Sequence, residues 1–401
     1  MRFGIPSYRL PRGILDAEIR RIEEMGVSIE YNAKVENVED ELGKWDAIFL
    51  AVGAHIGRRT DIPAGESAKI VDAVSLLQGV EKGESPMLGR RVVVYGGGNT
   101  AIDMARTAKR LGASEAIIVY RRTRDRMPAH DSEVTEAEEE GIMMRWLSTV
   151  KHVDGGTLTI EKMELDDSGF PQPTGEFEEL GADSLIMALG QEADLSLIEN
   201  ASGIEIEDGV VKALGQEADL SLIENARGIE IEDGVVRVTD QMMTGIDGVF
   251  AGGDMVPSER TVTVAIGHGK KASRYIDAYL HGTTYTPAPK HADAEFSRMT
   301  PWYYADAPRQ VRAKLEGARR ASTFDEVVQG LDEESALFEA RRCMSCGNCF
   351  GCDNCFGVCP DNAIVKITPG EYEFKYDYCK GCGLCAEECP CGAISMVPEQ
   401  V

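Results

Sequence analysis

The cysteines are the residues of this chain with the most informative spacing, because all 11 lie between Cys343 and Cys391. Eight of them form two runs of the type C-x2-C-x2-C-x3-C-P, and the second run begins 30 residues after the first. Three closely spaced thiolates can hold three iron corners of a [4Fe–4S] cube, and in two-cluster ferredoxins the fourth cysteine of each run binds the other cluster. The two runs therefore predict a C-terminal ferredoxin module with two [4Fe–4S] clusters.

The crossed pattern assigns four cysteines to each cluster. Cluster one takes three cysteines of the first run and the last cysteine of the second, namely Cys349, Cys352, Cys355 and Cys389. Cluster two takes the reciprocal set, namely Cys379, Cys382, Cys385 and Cys359. A zinc site is the main alternative, but it needs only four ligands, often as two C-x2-C pairs. It does not account for eight cysteines in two runs that each end in proline.

Three cysteines lie outside the assigned sets. Cys343 and Cys346 continue the three-residue spacing upstream, so a triplet formed with Cys349 could compete for a cluster. Only the downstream register puts the Cys-Pro pair at the right offset, and we expect Cys343, Cys346 and Cys391 to be buried or spare thiols. Because the first 342 residues contain no cysteine pair, disulfide-reductase chemistry is excluded for them.

A glycine-rich turn between two short apolar segments forms the second candidate site. Residues 91–95 (RVVVY) predict a buried parallel strand, and GGGNTA, a helical stretch and a second strand over 116–120 follow. Glycines in such a turn let the backbone approach a pyrophosphate, which binds at the helix N-terminus. The pattern predicts a Rossmann-like NAD(P) site that includes Gly96, Gly98, Asn99, Thr100 and Ala101.

The residues after the second strand bear on the choice between NADP and NAD. Enzymes that prefer NAD usually place an acidic residue there, which binds the ribose 2′-hydroxyl. This chain has Arg121, Arg122 and Arg124 instead, and guanidinium groups suit a 2′-phosphate through charge-assisted hydrogen bonds. NADP is therefore favoured and NAD is the alternative, since the arginines can also be ordinary surface charge.

Length and charge limit the class of protein. A chain of 401 residues is too long for one ordinary core, so two or three domains are expected. The formal net charge of −26 disfavours nucleic acid and anionic membranes as partners, and it favours basic or metal-bearing proteins. No apolar run is long enough to cross a bilayer, and the first residues lack the apolar core of a secretory signal. We therefore expect a cytoplasmic protein.

Five segments resemble the family of the glutamate synthase small subunit, whose members are NAD(P)H-linked FAD oxidoreductases. They read MRFGIPSYRLP, DAIFLAVGA, VVVYGGGNTAIDMARTAKRLGA, VYRRTRDRMPA and VFAGGDMVPSERTVTVAIGHGKKAS, and they cover roughly residues 1–280. The linker EVVQGLDEESALFEARRCMSCGNC is similar to that of pyridine-nucleotide subunits of 2-oxoacid oxidoreductases, such as phenylglyoxylate dehydrogenase.

The resemblance implies an α/β fold in which a Rossmann-like NAD(P) domain is inserted into a split FAD domain, followed by an α+β two-cluster ferredoxin domain. The implied segments are 1–85 and 186–283 for the FAD domain, 86–185 for the insertion, 284–340 for a linker and 341–401 for the ferredoxin domain.

The resemblance also implies the residues that contact the flavin. Gly253 and Asp254 of VFAGGD would lie at its ribityl or diphosphate region, and Gly53 of AVGA would approach it closely. Thr261 and Val262 would open a helix whose N-terminus faces the diphosphate.

Two features depart from the family's pattern. Family members have a further glycine-rich strand–turn–helix, which holds the ADP half of FAD, before the MRFGIP stretch. This chain starts after that point, so we expect either a truncation or a second polypeptide that supplies the unit. In addition, residues 188–212 recur at 213–237 with two substitutions. Only one copy can occupy the family's place before VFAGGD, and we expect the other to be an extra surface excursion.

Together these features predict an electron-transfer oxidoreductase subunit. Electrons would pass between NAD(P)H, FAD and two [4Fe–4S] clusters, to or from a partner oxidoreductase of the 2-oxoacid or glutamate synthase type or a soluble ferredoxin. The alternatives are the glutamate synthase small subunit itself and a ferredoxin-type relay or scaffold without its own flavin. No general acid or base is assigned, since single histidines such as His55, His130 and His268 are more often structural.

Overall fold

The computed structural model describes residues 1–35, 37–54, 56–57, 62–65, 69–192, 206–207, 210–211, 231–232, 235–288, 294–304 and 306–398. The α-helices of these residues are α1 (Arg12–Glu24), α2 (Ala73–Glu81), α3 (Asn99–Arg110), α4 (Asp131–Glu139), α5 (Val262–Leu280), α6 (Gly317–Arg320), α7 (Glu333–Arg341), α8 (Asn354–Val358) and α9 (Leu384–Glu387). Among these helices, none combines the length and the apolar character that crossing a membrane requires.

The strands of the same residues are mostly short. They are β1 (Ile48–Leu50), β2 (Ile56–Gly57), β3 (Ile70–Asp72), β4 (Arg91–Tyr95), β5 (Glu115–Val119), β6 (Met143–Arg145), β7 (Ser148–Asp154), β8 (Thr157–Leu165), β9 (Pro171–Gly181), β10 (Ser184–Met187), β11 (Gln191–Glu192), β12 (Ile206–Glu207), β13 (Val210–Val211), β14 (Ile231–Glu232), β15 (Val235–Val236), β16 (Val249–Ala251), β17 (Ile364–Thr368) and β18 (Glu371–Phe374).

The chain forms two compact units. Unit one comprises residues 1–285 and 315–327, and unit two comprises residues 286–314 and 328–401. The stretch predicted as a linker is therefore divided, because its middle part packs with unit one and its flanking parts pack with unit two. The domain boundaries implied by the family resemblance stay predictions.

Unit one is built around a five-stranded parallel sheet with the strand order β3-β10-β4-β5-β6. Successive residues of a strand point to opposite faces, and accordingly Val92 and Val94 pack with α3 whereas Val93 and Tyr95 pack in a second apolar cluster. All four side chains are buried. A parallel sheet that is covered on both faces needs such continuous apolar strands. The observed sheet confirms the predicted α/β class.

The sheet includes a strand that lies before the predicted insertion. β3 pairs in parallel with β10, and β10 pairs in parallel with β4. On the second face of the sheet, the antiparallel strands β7, β8 and β9 supply Leu158 and Ile160, which are 1% exposed and pack with Val93. These contacts join residues far apart in sequence, so local spacing gave no sign of them.

The remaining part of unit one contains the parallel pair β1–β16 and the helix α5. Leu50 of β1, Val249 of β16 and Ala272 of α5 are buried in one apolar cluster. Because β1 and β16 are parallel neighbours, the loops that follow them leave the sheet at the same edge. This arrangement places the AVGA and VFAGGD motifs side by side.

The two copies of the duplicated segment form the same small hairpin. Ile206 lies opposite Val211 in the first copy, and Ile231 lies opposite Val236 in the second. Val236 is fully buried in the same cluster as Val249, so the second copy contributes to this core. The predicted surface excursion concerns residues that lie mostly outside the described ones.

A buried ion network fixes three parts of unit one together. The Glu140 carboxylate accepts hydrogen bonds from Arg106 Nη2 at 2.7 Å and from Arg110 Nη1 at 2.8 Å. The Tyr8 ring centroid lies 3.8 Å from Arg110 Cζ, and Arg110 Nε donates to the Thr323 carbonyl at 3.1 Å. The network therefore ties the N-terminal segment and the segment around residue 323 to α3.

Unit two has the helices α8 and α9 and the antiparallel hairpin β17–β18. Each helix follows a residue with a left-handed backbone, Asp353 at φ 66° and Gly383 at φ 79°. These residues stand at equivalent places in the two cysteine runs, each directly after the second cysteine. The repeated geometry indicates a ferredoxin-like α+β domain.

The segment 294–304, which was predicted as part of the linker, packs against the end of the second cysteine run. The Thr300 N–H donates to the Pro390 carbonyl at 3.3 Å, and Arg298 Nη2 donates to the Gly392 carbonyl at 3.3 Å. This segment is therefore part of the ferredoxin-like unit.

We expect Glu140→Ala to destabilise unit one strongly. Burial would raise the pKa of Glu140, but hydrogen bonds from Arg110 and Arg106 outweigh it and hold the pKa below its usual value. Removal of this carboxylate leaves the buried Arg110 guanidinium without its ion pair and leaves Arg106 with Glu136 alone, and breaking a buried pair typically costs about 3–5 kcal/mol. Amide hydrogen exchange in α3 measures this loss, and exchange in the β17–β18 hairpin should not change.

The matched control is Glu176→Ala, because Glu176 pairs with Lys162 on the surface with both side chains more than half exposed. Such pairs contribute less than about 1 kcal/mol. Equal effects of the two substitutions on α3 would contradict the assigned role of Glu140.

Candidate functional site

Five thiols line one cavity of unit two, which has a volume of about 300 Å³. Four of them are the cysteines assigned to cluster one, and the fifth was expected to be a buried or spare thiol: Cys349, Cys352, Cys355, Cys389 and Cys391. Tyr372, Phe374 and Ile394 contribute apolar walls. The structure thus brings the last cysteine of the second run to the first three cysteines of the first run.

The two runs end in equivalent turns. The Ala363 N–H donates to Cys359 Sγ at 3.3 Å, and the Ala393 N–H donates to Cys389 Sγ at 3.3 Å. A backbone N–H directed at sulfur stabilises a thiolate and tunes an iron–sulfur centre. The matching distances show that the two runs end in the same turn geometry.

The chemistry of the cavity favours a cationic ligand. Burial raises the pKa of the Cys355 thiol to about 11, since an anionic sulfur loses solvation there. Among the described residues that line the cavity, none is a lysine or arginine. Four thiolates can therefore coexist only if the ligand supplies positive charge, and soft sulfur donors suit iron–sulfur clusters.

The geometry bears on the choice between one metal ion and a cluster. In the described part of the chain, no group of three or more histidine, cysteine, aspartate or glutamate side chains is arranged to hold a single metal ion. A [4Fe–4S] cube takes one thiolate at each of four iron atoms instead. The cavity offers four assigned thiols from two runs, which is the number of donors that such a cube takes.

The cysteines assigned to cluster two are more accessible. Cys379 and Cys382 are exposed, whereas Cys359 and Cys385 are half-buried. Burial raises the pKa of the Cys385 thiol. Beside them, Lys380 Nζ lies 3.2 Å from an Asp361 carboxylate oxygen, whereas the charged residues that line the cavity are the acidic Asp353 and Glu371.

The thiols outside the two assigned sets differ in burial. Cys391 is buried in the cavity, whereas Cys343 is exposed and its Sγ accepts a hydrogen bond from the Ser345 N–H at 3.4 Å. The side chain of Cys346 lies outside the described ones. Sequence reasoning missed Tyr304, whose pKa is raised by burial and by the nearby thiols of Cys391, Cys352 and Cys343.

The GGGNTA turn is closed on one side and open on the other. A Cβ at Gly96 would lie 2.1 Å from the Ala188 carbonyl oxygen, and a Cβ at Gly97 would lie 2.3 Å from the Tyr120 ring. At Gly98, no atom of the described chain lies within 4 Å of the corresponding position. Gly98 is also the N-cap of α3. The turn therefore leaves room for an anion at the helix N-terminus.

The other residues of the turn have structural contacts of their own. Asn99 Oδ1 accepts a hydrogen bond from the His130 N–H at 3.0 Å, which fixes the loop before α4. Ala101 is fully buried in the cluster between α3 and the sheet. Thr100 is half-buried in the first turn of α3. Direct contact of these three residues with a nucleotide stays a prediction.

The arginines after β5 are not equivalent. Arg124 donates from Nη1 to Glu138 at 2.7 Å and from Nη2 to Asp131 at 3.0 Å. Arg121 is exposed, and Arg122 is half-buried with an Nε that is buried and lacks a hydrogen-bond partner in the described structure. A buried donor of this kind usually has a partner, and the 2′-phosphate of NADP would provide one.

The loops after β1 and β16 bring two glycine motifs to one edge. Gly53 and Gly253 have left-handed backbones, with φ of 74° and 75°. The Gly253 N–H donates to His268 Nδ1 at 3.2 Å, which ties this turn to α5. A Cβ at Gly252 would lie 2.8 Å from the Phe49 ring, so the backbone is packed closely here. His268 is thus structural, and His55 lies outside the described residues.

Helix α5 begins where the family resemblance implied. Thr261 is its N-cap, and Thr261 Oγ1 accepts a hydrogen bond from the Val264 N–H at 3.2 Å. Val262 is the first helical residue, and Asp254 is half-buried in the short turn after β16. Flavin contacts of these residues stay predictions.

Two family models match the chain. The model described as pyridine nucleotide-disulphide oxidoreductase matches residues 12–212 and 205–269, in two segments that overlap inside the duplicated stretch. The model described as 4Fe-4S dicluster domain matches residues 348–393. The second match includes the eight assigned cysteines and excludes Cys343 and Cys346.

The chain is also similar to individual proteins. It is 36% identical over 370 residues to the NADP(+)-dependent formate dehydrogenase subunit beta of Moorella thermoacetica. This match covers 86% of this chain and 48% of that protein. It is 31% identical over 302 residues to a putative glutamate synthase (NADPH) small chain of Cereibacter sphaeroides, covering 70% and 68%. The chain therefore spans about half the length of the first relative.

A solved structure supports the fold. FprA from Mycobacterium tuberculosis superimposes with a TM-score of 0.51 at 17% identity, covering 70% of this chain and 75% of that protein. The family matches support the predicted cofactors, namely FAD, NAD(P) and iron–sulfur clusters.

We expect Gly98→Ala to weaken NADPH binding without loss of stability. The added Cβ meets no atom of the described chain, but it would project into the space where the backbone approaches a pyrophosphate. A rise in Kd of about 10-fold or more, which corresponds to about 1.4 kcal/mol, is expected from titration calorimetry, with an unchanged Tm.

Gly97→Ala is the matched control, because its Cβ would meet the Tyr120 ring at 2.3 Å. This variant should lower the Tm. Unaltered NADPH affinity in Gly98→Ala would contradict the assignment of the turn.

Proposed function

Because the chain belongs to the pyridine nucleotide-disulphide oxidoreductase family and to that of the glutamate synthase small chain, and carries a 4Fe-4S dicluster domain, we propose that it is an electron-transferring subunit of an oxidoreductase complex. Electrons pass between NAD(P)H, FAD and two [4Fe–4S] clusters, to or from a partner subunit. The main support is the cavity in which cysteines of two separate runs meet.

The ligand assignment of the proposal follows the crossed pattern. Cluster one is held by the four assigned cysteines of the cavity, and cluster two by Cys359 together with Cys379, Cys382 and Cys385. The N–H donors at Ala363 and Ala393 stabilise one thiolate of each set. The protein's task is to hold two redox centres in different surroundings, one in a cavity with buried thiols and one at more accessible cysteines.

The nucleotide of the proposal is NADP(H). Its pyrophosphate binds at Gly98 and the N-terminus of α3, and Arg121 and Arg122 bind the 2′-phosphate. Support comes from the unpartnered Nε of Arg122 and from the ion pairs that occupy Arg124. The relative from Moorella thermoacetica is likewise described as NADP(+)-dependent.

FAD, when bound, supplies the exchange between hydride transfer and single-electron transfer. The residues proposed to hold it are Gly53, Gly253 and Asp254 at the edge of the β1–β16 pair, and Thr261 and Val262 at the start of α5. Two left-handed glycines at one edge and a helix N-terminus close to them in sequence fit a bound diphosphate.

The partner of the proposal is an oxidoreductase subunit. One relative of this chain is described as a subunit beta of formate dehydrogenase and another as a small chain of glutamate synthase, so both act within complexes. The net charge of −26 favours a basic docking surface on the partner. A 2-oxoacid-type partner and a cytoplasmic location are the finer proposals.

Cofactor content tests the proposal. The full chain, purified without oxygen, should contain about eight iron atoms and eight acid-labile sulfides, as two [4Fe–4S] clusters require, and should bind FAD. About four irons would contradict the two-cluster assignment. A full iron content with no affinity for FAD would exclude the flavin and leave the relay function.

We expect Arg122→Ala to weaken NADPH binding selectively. Loss of hydrogen bonds between a guanidinium and a phosphate costs about 1.5–3 kcal/mol, or about 10- to 100-fold in Kd. The Kd for NADH should not change, because NADH has no 2′-phosphate. Arg124→Ala is the control, since its guanidinium already pairs with Asp131 and Glu138. A parallel loss of both nucleotides in Arg122→Ala would contradict the NADP assignment.

A further inference from the structure

The cavity of unit two contains one thiol more than a cluster needs. Cys391 Sγ lies 3.9 Å from Cys389 Sγ. The two residues are 2% and 7% exposed, and both line the cavity. Cys391 belongs to neither ligand set of the two-run pattern, so its position next to an assigned ligand is unexplained by that pattern.

The turn around Cys391 is held firmly in this position. The Gly392 N–H donates to the Cys389 carbonyl at 3.3 Å, and Gly392 has a left-handed φ of 66°. A Cβ at Gly392 would lie 2.8 Å from the Arg298 carbonyl oxygen, because the segment 294–304 packs on the outer side of the turn. The short turn therefore brings its third residue, Cys391, close to its first residue, Cys389.

The equivalent turn of the first run serves as an internal comparison. There the Asn362 N–H donates to the Cys359 carbonyl at 3.4 Å, and Asn362 has a φ of 50°. The third residue of this turn is Asp361, whose side chain is 33% exposed and pairs with Lys380. The same backbone thus carries a surface carboxylate in one run and a buried thiol in the other. A thiol at this place is not a requirement of the turn.

We propose that Cys391 is an alternative ligand for the iron atom that Cys389 binds in cluster one. This inference rests on the proposed function, because it needs a cluster in the cavity. In the exchange, one iron–sulfur bond to Cys389 breaks and one to Cys391 forms. Cys391 gives up its thiol proton and Cys389 takes up a proton, so no electron is transferred. Cluster one then persists when Cys389 is lost, whereas cluster two depends on Cys359.

The test uses the full chain, reconstituted with iron and sulfide without oxygen, in five forms. These are the parent chain, Cys389→Ala, Cys391→Ala, the double variant of both positions, and Cys359→Ala as the matched control. Iron and acid-labile sulfide per chain are measured, together with the EPR spectrum after reduction by dithionite. We expect about eight irons in the parent chain, in Cys389→Ala and in Cys391→Ala. The double variant and Cys359→Ala should retain about half as much.

The outcomes separate this inference from the proposed function. If Cys389→Ala falls to half the iron content, as Cys359→Ala does, the alternative ligand is refuted although the two clusters stand. A double variant that keeps about eight irons refutes it as well, since some other group then replaces Cys389. A parent chain that never reaches about eight irons contradicts the proposed function instead.

A reciprocal variant covers the case in which Cys389→Ala does not fold. Cys359→Ala combined with Asp361→Cys installs the additional thiol in the first turn. It should restore the iron content that Cys359→Ala loses, with an EPR signal for cluster two that differs from that of the parent chain. An iron content that stays halved in this variant counts against an alternative ligand at the third position of the turn.

Discussion

Close packing of the backbone at particular glycines determines where this chain can accommodate a ligand. At Gly96 and Gly97 a side chain would collide with the neighbouring strand end or ring, whereas Gly98 faces open space. The turn is thus pressed against the sheet on one side and free on the side of the helix N-terminus. The proposed cofactor arrangement depends on this asymmetry, because an anion can reach backbone N–H groups only where no side chain intervenes.

A similar distinction applies to the charged side chains, several of which already have ion-pair partners. Arg106 and Arg110 are buried and committed to Glu140, and Arg124 is committed to Glu138 and Asp131. These ion pairs maintain the shape of unit one around the GGGNTA turn. The ferredoxin-like unit concentrates thiols instead, and its cavity has no lysine or arginine among the described lining residues. Electrostatics therefore favours a metal cluster in that cavity.

Much of this was readable from local sequence. The strand at 91–95, the turn that follows it and the meeting of Cys389 with the first cysteine run were predicted from spacing and residue type, whereas the start of α5 at Thr261 was implied by the family resemblance. Such patterns work because a strand–turn–helix or a ligand run is specified by neighbouring residues.

Contacts between distant segments could not be predicted from the local sequence. The packing of residues 294–304 on the turn at Cys391, the entry of β3 into the sheet and the capture of Arg124 by acidic residues of α4 depend on the folded chain. Cys391 is the sharpest case. Its spacing indicated a buried or spare thiol, and only the tertiary structure places its sulfur 3.9 Å from an assigned ligand.

The central claim is that electrons from NADPH reach the clusters of this chain. The most direct measurement is the EPR spectrum of the reconstituted chain, supplied with FAD and kept without oxygen, before and after addition of NADPH. The account predicts that NADPH produces the signals of reduced [4Fe–4S] clusters that dithionite also produces. Signals that appear with dithionite but not with bound NADPH would contradict it.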